Sequence, residues 1–276
     1  MKLNNHQEDH IMSYMYVKFF SMGLVRNGEF HLYLPPKNAG MFMKDNPYYQ
    51  RPAKTLILLH GFNGDCDDWM QHTPVNEWSM KYNLAIAMPT GGVSFFLDRE
   101  ATGHKYATFV GSDLVRFLRE TYGLAMNRED TFIGGNSMGG FGAMHTALMF
   151  PETFGACMGL SSAAIAKQLP AMKENFQPNR MANLEYYIEQ FGDLEKAPES
   201  DINAEWQFNQ NKEKGIENPR IFMACGTEDF GIANNRDLAN FFKEAGADFE
   251  FYEAPGIHNW SFWIPAAEKG IEFLLK

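Results

Sequence analysis

The sequence predicts an α/β fold, in which a mostly parallel central sheet starts with an antiparallel hairpin and carries helices on both faces. Continuous apolar runs such as 55–59 and 84–88 are typical of parallel strands that are buried on both sides. Such runs alternate along the chain with segments of helical periodicity, which indicates a sheet layered between helices. The 276 residues are enough for one large core, so we expect a single domain spanning 1–276.

The first two predicted strands form the opening hairpin. Residues 12–20 are rich in aromatic and aliphatic side chains, and residues 29–34 provide the return strand. Between them, Asn27-Gly28 is a dipeptide typical of two-residue hairpin turns, because both residue types tolerate positive φ angles. Residues 35–52 contain several prolines and a glycine, and they predict a loop.

The remaining elements alternate as the fold class requires. Apolar side chains at helical spacing predict a helix over 106–122, after a loop over 90–102. Strands are also predicted over 131–134, 154–160, 220–225 and 249–254, and helices over 73–82, 141–150, 232–245 and 260–275.

One segment, 167–214, interrupts this alternation because it is too long for a simple crossover between two core strands. It mixes charged and amide side chains with scattered aromatic ones. We expect a mostly helical insertion that lies as a cap over the carboxyl edge of the sheet. A surface excursion without functional consequence is the alternative.

The stretch Gly135-Asn136-Ser137-Met138-Gly139 matches the G-x-S-x-G pattern. It follows a predicted strand and precedes a predicted helix, which is the setting of a nucleophile elbow. There a strained backbone holds the serine oxygen clear of the sheet, and small flanking residues let strand and helix approach. We therefore expect Ser137 to be a nucleophile.

A serine hydroxyl needs a base within hydrogen-bonding distance and an acid that orients the base. In this setting the chain order is serine, then acid, then histidine. Asp229 follows a buried strand and is the expected acid, with Glu228 as the alternative and a helix N-cap as the non-catalytic role for Asp229. His258 is the one histidine that lies after both Ser137 and Asp229, so it is the expected base.

The tetrahedral intermediate of acyl transfer needs two N–H donors for its oxyanion. The backbone N–H of Met138, directly after the nucleophile, is the first expected donor. The second is expected from Phe62 in the loop His60-Gly-Phe-Asn-Gly64, which follows an early buried strand. His60 precedes the serine in the chain, so we expect it to shape this loop rather than act as the base.

Composition excludes several classes of protein. The formal net charge is −10 and no basic stripe is present, so nucleic-acid binding is not expected. Cys66, Cys157 and Cys225 match no metal-ligand or redox spacing, and no metal is expected. The polar first ten residues are no signal peptide, and no apolar stretch is long enough to span a membrane, so we expect a cytoplasmic protein.

Four stretches, in order along most of the chain, resemble the esterase D-like branch of the α/β-hydrolases. They are Leu58–Trp69, Thr131–Gly142, Cys225–Asp229 and Gly256–Trp263. This branch includes tributyrin, acetyl and feruloyl esterases and S-formylglutathione hydrolases, and the tributyrin esterases are the most similar group. Two departures are Asn136, where relatives often carry another residue, and Phe96-Leu-Asp98, where they often carry Tyr-Thr-Asp.

The resemblance implies an α/β-hydrolase fold and a serine carboxylesterase without a cofactor. It places Ser137, Asp229 and His258 at the triad positions, and Phe62 and Met138 at the oxyanion donors. It also implies substrate contacts by Trp260, Phe96 and Asp98, although a core role for Phe96 stays open.

We expect a small-molecule ester substrate with a short or aromatic acyl group, which includes acetylated or feruloylated carbohydrate. A thioesterase, a non-catalytic binding protein and a peptidase are the alternatives. A homo-oligomer is possible, since relatives often assemble.

Overall fold

The computed structural model describes residues 12–37, 45–99, 101–176 and 181–276. Its centre is an eight-stranded sheet in the order β1-β2-β4-β3-β5-β6-β7-β8. The first strand pairs antiparallel with the second and the second antiparallel with β4, and all other pairs are parallel. The strands are β1 Ser13–Ser21, β2 Arg26–Leu34, β3 Lys54–Leu59, β4 Leu84–Pro89, β5 Thr131–Asn136, β6 Ala156–Leu160, β7 Arg220–Gly226 and β8 Phe249–Ala254.

Helices cover both faces of this sheet, and the predicted fold class is confirmed. The helices are α1 Asp68–His72, α2 Val75–Tyr82, α3 Tyr106–Thr108 continued through Phe109–Leu114 and Val115–Tyr122, α4 Met138–Met149, α5 Leu169–Asn175, α6 Leu184–Phe191, α7 Ala204–Glu213, α8 Ile232–Glu244 and α9 Trp260–Leu274. Side chains of α1, α2 and α9 bury one face, and those of α3, α4 and α8 bury the other.

The sheet owes its stability to side chains that are removed from water on both faces. Every residue of β4, β5 and β6 is buried, which explains their continuous apolar sequences. The first strand instead alternates between half-buried and exposed residues, as expected for an edge strand with one solvated face. The site described below is built at the carboxyl ends of the buried parallel strands.

The opening hairpin is present, but its predicted turn position is wrong. The chain turns at 22–25, and Asn27 and Gly28 lie inside β2, paired with Phe20 and Phe19. A side chain at Gly28 would overlap the ring of Phe109. The glycine therefore serves the close approach of helix α3 to the strand and not the φ angles of a turn.

Helix α3 is irregular in its middle. Its segment Phe109–Leu114 is π-helical, and α-helical geometry continues on both sides of it. The segment carries two close contacts: the ring of Phe109 lies against Gly28, and Gly111 leaves no space for a side chain beside the ring of Phe150. The predicted helix over 106–122 is confirmed, although the apolar periodicity gave no sign of the π turn.

The segment 167–214 contains helices α5, α6 and α7, so it is largely helical as expected within the described residues. Helix α6 contacts the loops that follow β3 and β4: the ring of Tyr186 meets that of Phe62, and its hydroxyl donates to Val93 O. Whether the segment functions as a cap stays a prediction. The part of the predicted loop at 38–44 lies outside the described residues.

Candidate active site

The sharp turn between β5 and α4 is centred on Ser137. The strand ends at Asn136, the helix begins at Met138, and Ser137 itself has φ 55° and ψ −116°. Few residues other than glycine adopt positive φ, because the Cβ atom then crowds the backbone. Such strain persists only where the surroundings fix it, and it is concentrated at functional sites.

Glycines on both sides make this turn possible. A Cβ atom on Gly135 would overlap Gly139 O, and one on Gly139 would overlap Leu59 O. A Cβ on Gly140 would lie 2.7 Å from Ser162 Oγ. Strand β5, helix α4 and the end of β3 therefore approach one another more closely than any larger residue would allow.

The three residues expected from chain order meet at this turn. His258 Nε2 lies 2.9 Å from Ser137 Oγ, and His258 Nδ1 lies 2.9 Å from Asp229 Oδ2. Asp229 follows β7 and His258 follows β8, so the two strands deliver the acid and the base to the same edge of the sheet. The neutral imidazole with its proton on Nδ1 can donate to Asp229 and accept from the Ser137 hydroxyl.

Asp229 is buried, with 2% of its surface exposed. Burial alone would raise the pKa of its carboxyl group, but hydrogen bonds from His258, from Gly231 N–H and from Ser161 hold that pKa below its usual value. The Gly231 N–H donates to Oδ1 over 2.8 Å, which leaves Oδ2 directed at the imidazole. The group is therefore held ionised, as an acid that orients a histidine must be.

The side chain of Glu228, the alternative acid, is directed at Gly256 and not at His258. It is exposed, and its Oε2 accepts a hydrogen bond from Gly256 N–H over 2.6 Å. This bond helps to fix the turn between β8 and His258. Asp229 does not take the helix N-cap role weighed for it, because the N-cap of α8 is Gly231 and no side chain caps this helix.

Met138, the first expected oxyanion donor, directly follows Ser137 in the chain. Met138 N–H is at the first turn of α4, where no intrahelical acceptor is available. Phe62 follows β3, whose end packs against the elbow through Gly139. Within the described part of the chain, neither N–H donates a hydrogen bond. The role of both N–H groups as oxyanion donors stays a prediction.

His60 holds the loop that carries Phe62. Its side chain is 1% exposed, its Nδ1 lies 2.7 Å from Gly61 O, and its Nε2 accepts from Gly91 N–H over 2.9 Å. Burial lowers the pKa of this imidazole, which keeps it neutral. As predicted, His60 ties loops together and is not positioned as the base.

The three residues expected to contact substrate have different surroundings in the structure. Phe96 is fully buried, and its ring packs against Gly91 and Gly142, which fits the core role that the sequence left open; its contact with substrate stays a prediction. Asp98 is only half-buried, but its carboxylate accepts hydrogen bonds from Thr108 N–H and hydroxyl at the start of α3.

Trp260 lies partly exposed at the start of α9. It stacks on His72 with ring centroids 4.9 Å apart and meets Trp263 edge-on at 5.2 Å. Trp263 in turn contacts the ring of His258 at 4.9 Å. Trp263 therefore lies between Trp260 and His258. Contact of Trp260 with substrate stays a prediction.

Sequence reasoning missed two supports of the site. Ser161, with φ 44°, follows β6 and accepts a hydrogen bond from Trp263 Nε1 over 2.9 Å, which leaves its hydroxyl proton for Asp229. Asn235 is fully buried and bonds the backbone of Ser162 through both amide atoms. Neither residue stands in a recognisable motif, so only the fold could reveal them.

Aromatic side chains contact the ring of His258 and the ring of Phe62. Phe230 is 82% exposed and its ring lies 4.4 Å from that of His258. The ring of Phe62 contacts those of Tyr186, with centroids 5.6 Å apart, and Phe95, at 6.2 Å. In the described residues, no helix is both long and apolar enough to cross a membrane.

Comparison with known proteins agrees with this geometry. The Esterase family model, described as "Putative esterase", matches residues 21–271. An acetyl esterase of Caldicellulosiruptor saccharolyticus is 36% identical over 266 residues, which cover 96% of this chain and 99% of that protein. The diacylglycerol acyltransferase/mycolyltransferase Ag85B of Mycobacterium avium is 27% identical and covers 84% of this chain and 78% of its own length.

Solved structures share the fold. The substrate-bound fluorophosphonate-binding serine hydrolase F of Staphylococcus aureus has a TM-score of 0.81 at 22% identity, over 96% of this chain and 99% of that one. The S-formylglutathione hydrolase of the same organism reaches 0.78 at 22% identity, over 96% and 100%. A ferulic acid esterase reaches 0.72 at 20% identity, over 97% and 98%.

Proposed function

The chain belongs to the Esterase family, and from that membership we propose that Ser137, His258 and Asp229 are the catalytic triad of this serine esterase. The protein is a carboxylic ester hydrolase. The observation that carries the residue assignment is the continuous pair of 2.9 Å contacts, from Ser137 Oγ to His258 and from His258 to Asp229.

In the acylation step, His258 Nε2 removes the proton of Ser137 as the serine oxygen attacks the ester carbonyl carbon. The carbonyl oxygen becomes an oxyanion, which accepts hydrogen bonds from the N–H groups of Phe62 and Met138. His258 then gives its proton to the departing alcohol oxygen, and the acyl group remains on Ser137. Asp229 stabilises the imidazolium throughout.

Deacylation repeats the sequence with water in place of the serine. His258 removes a proton from water, the hydroxide attacks the acyl carbonyl carbon, and the same two N–H groups hold the second oxyanion. Collapse expels Ser137 Oγ, which recovers its proton from His258. Two tetrahedral intermediates thus form at one place, so a single pair of donors serves both steps.

We propose a short acyl group, with acetyl as the first candidate. The extensive similarity to an acetyl esterase supports this substrate class. The rings of Phe62, Phe95 and Tyr186 lie close together. Because the backbone N–H of Phe62 is a proposed oxyanion donor, these rings would limit the length of the acyl chain. The alcohol would leave past the exposed ring of Phe230.

We also propose a cytoplasmic location. All three cysteines are free and buried, which suits a compartment that keeps thiols reduced. The possible homo-oligomer stays a prediction.

The deciding experiment compares wild type with Ser137→Ala in stopped flow with p-nitrophenyl acetate. We expect a burst of p-nitrophenol equal to the enzyme concentration in the wild type and no burst in the variant, because the acyl-enzyme needs Ser137 Oγ. Steady-state turnover should fall by about 10³- to 10⁶-fold. Equal turnover by both proteins would remove Ser137 from the mechanism.

A substrate panel then separates the alternatives. Acetyl, butyryl and feruloyl esters, compared with an acyl thioester through kcat/KM, should favour the acetyl ester. A preference for the thioester would instead indicate the S-formylglutathione hydrolase reaction. A folded wild type that turns over none of them would support the binding-only alternative.

A further inference from the structure

Strand β2 and the loop after β3 bring together three side chains of the kinds that bind transition metals. His31 projects from β2, and Cys66 and Asp67 precede helix α1. One ligand atom from each residue, an imidazole nitrogen, the thiol sulfur and a carboxylate oxygen, lies within 4.8 Å of the other two. His31 Nε2 and Asp67 Oδ1 are 2.6 Å apart.

We propose that His31, Cys66 and Asp67 form a binding site for one divalent transition-metal ion, with zinc as the best fit. Zinc binds nitrogen, sulfur and carboxylate oxygen at about 2.0–2.3 Å, and three protein ligands with one water complete its tetrahedron. A thiol and an imidazole together disfavour magnesium and calcium, which prefer oxygen ligands. The ion would take the place of the proton between His31 and Asp67; that proton would move to His31 Nδ1, and the Cys66 thiol would release its proton to solvent. His31 and Asp67 would move apart by roughly 1 Å to admit the ion.

The outer surroundings of His31 suit a metal ligand. Its second ring nitrogen, Nδ1, lies 2.7 Å from the hydroxyl of Tyr14 on β1. When Nε2 holds a metal, Nδ1 carries the proton and donates it to an oxygen such as this one, which fixes both the tautomer and the ring orientation. His31 is 6% exposed, so its ring has little freedom to turn away.

Backbone contacts hold Cys66 beside this ring. Its N–H donates to the hydroxyl oxygen of Thr90 over 3.2 Å, and Thr90 N–H donates to Glu29 O over 3.0 Å. Thr90 thereby joins the Cys66 loop to β2, two residues before His31. Asp67 occupies the N-cap position of α1, yet its side chain forms no cap hydrogen bond and is directed at His31 instead.

Negative charge around the thiol favours a cation. The carboxylates of Asp67, Asp65 and Glu29 all act electrostatically on Cys66. Cys66 is itself buried, with 6% of its surface exposed, whereas 45% of the Asp67 side chain is exposed. The site therefore has two buried ligands, one accessible ligand and a route for an ion from solvent.

The test is a cobalt titration of the full chain, purified in a chelator and kept reduced with a phosphine. Cobalt(II) bound by a thiolate gives a charge-transfer band in the near ultraviolet, and its visible bands report tetrahedral geometry. We expect one cobalt per chain with both signals, displacement by zinc, and a zinc-dependent rise in melting temperature. None of these readouts requires ester hydrolysis.

Cys66→Ser should abolish the charge-transfer band, and Asp67→Asn should weaken binding by at least tenfold. Asp67 is the safer variant for folding, because its side chain is partly exposed. His72→Gln is the matched control, since His72 pairs with Asp68 on the same loop and helix but outside the cluster, and it should bind cobalt like wild type. Wild type without thiolate-bound cobalt, or an unchanged spectrum in Cys66→Ser, would overturn the proposal.

Discussion

At the scale of single residues, the neighbours Asp229 and Glu228 offer a matched comparison. Only Asp229 reaches His258, while Glu228 accepts from Gly256 N–H. We expect Asp229→Asn to lower kcat by about 10⁴-fold, because an amide in this place favours the wrong imidazole tautomer. The ester assay described above measures this effect.

Glu228→Gln is the control for that variant. Its amide oxygen can still accept from Gly256 N–H, so kcat should stay within about threefold of wild type, as for most substitutions that keep a surface contact. A large loss in Glu228→Gln together with a small loss in Asp229→Asn would reverse the assignment of the acid.

The lowered pKa of Asp229 also predicts how stability depends on pH. Folding favours the ionised carboxylate, so its contribution is present above the usual pKa, which is near 3.9, and is lost as the pH falls through the lower folded-state value. Urea unfolding of wild type and Asp229→Asn at about pH 6 and about pH 3 should show the advantage of the wild type shrinking in acid. An advantage that grew on acidification would contradict the direction of the shift.

Single residues differ in how far their sequence neighbourhood reveals them. Ser137, Asp229 and His258 could be selected because chain order and strand ends constrain them strongly. For Phe96 the sequence leaves a substrate contact and a core role equally open, and only the packing of its ring against Gly91 and Gly142 shows that it is buried. The approach of His31 to Cys66 follows from strand pairing, so no sequence spacing reports it.

At the scale of elements, Gly28 tests the corrected hairpin. Gly28→Ala should destabilise the protein by about 1–3 kcal/mol, because the new methyl group overlaps the ring of Phe109. Asn27→Ala should change stability by less than about 0.5 kcal/mol, since Asn27 is exposed inside β2. Chemical denaturation measures the free energy of unfolding of both variants. A larger loss of stability in Asn27→Ala than in Gly28→Ala would favour a hairpin turn at Asn27-Gly28.

Helix α6 supplies a second test at this scale, which depends on the proposed cap. Removing the ring in Tyr186→Ala should lower kcat/KM for the acetyl ester by about tenfold, because Phe62 loses its edge-on partner and the loop loosens. Tyr186→Phe keeps the ring and loses only the hydrogen bond to Val93 O, so its effect should be within about threefold. Equal kcat/KM in all three proteins would show that the helix does not support the donor loop.

At the scale of the whole molecule, the sheet order predicts a gradient of local stability. Strands β3, β5 and β6 are central and almost wholly buried, whereas β1 is an edge with one solvated face. Hydrogen exchange should therefore be slowest in the three central strands and fastest in β1. Exchange in β1 as slow as in β5 would indicate a covered edge, as an assembly of several chains would produce.

The architecture could be predicted because buried parallel strands have unbroken apolar sequences. The apolar run 84–88 predicts strand β4, and the structure has this strand at Leu84–Pro89 with every residue buried. Turns were harder, since Asn27-Gly28 has the composition of a turn and Gly28 is needed for packing instead. The hydrophobic pattern predicts which segments form strands and helices. Close contacts between elements that are distant in sequence determine where individual turns and glycines are needed.

The π-helical segment Phe109–Leu114 predicts how this helix should differ among homologous proteins. A π turn contains one residue more than the α-helical turn it replaces. Inserting one residue into a regular helix would produce it. The same turn places Phe109 on Gly28 and Gly111 on Phe150. In an alignment of homologous sequences, those that lack the extra residue in this helix should also carry residues other than glycine at positions 28 and 111. The extra residue and the two glycines should therefore occur together.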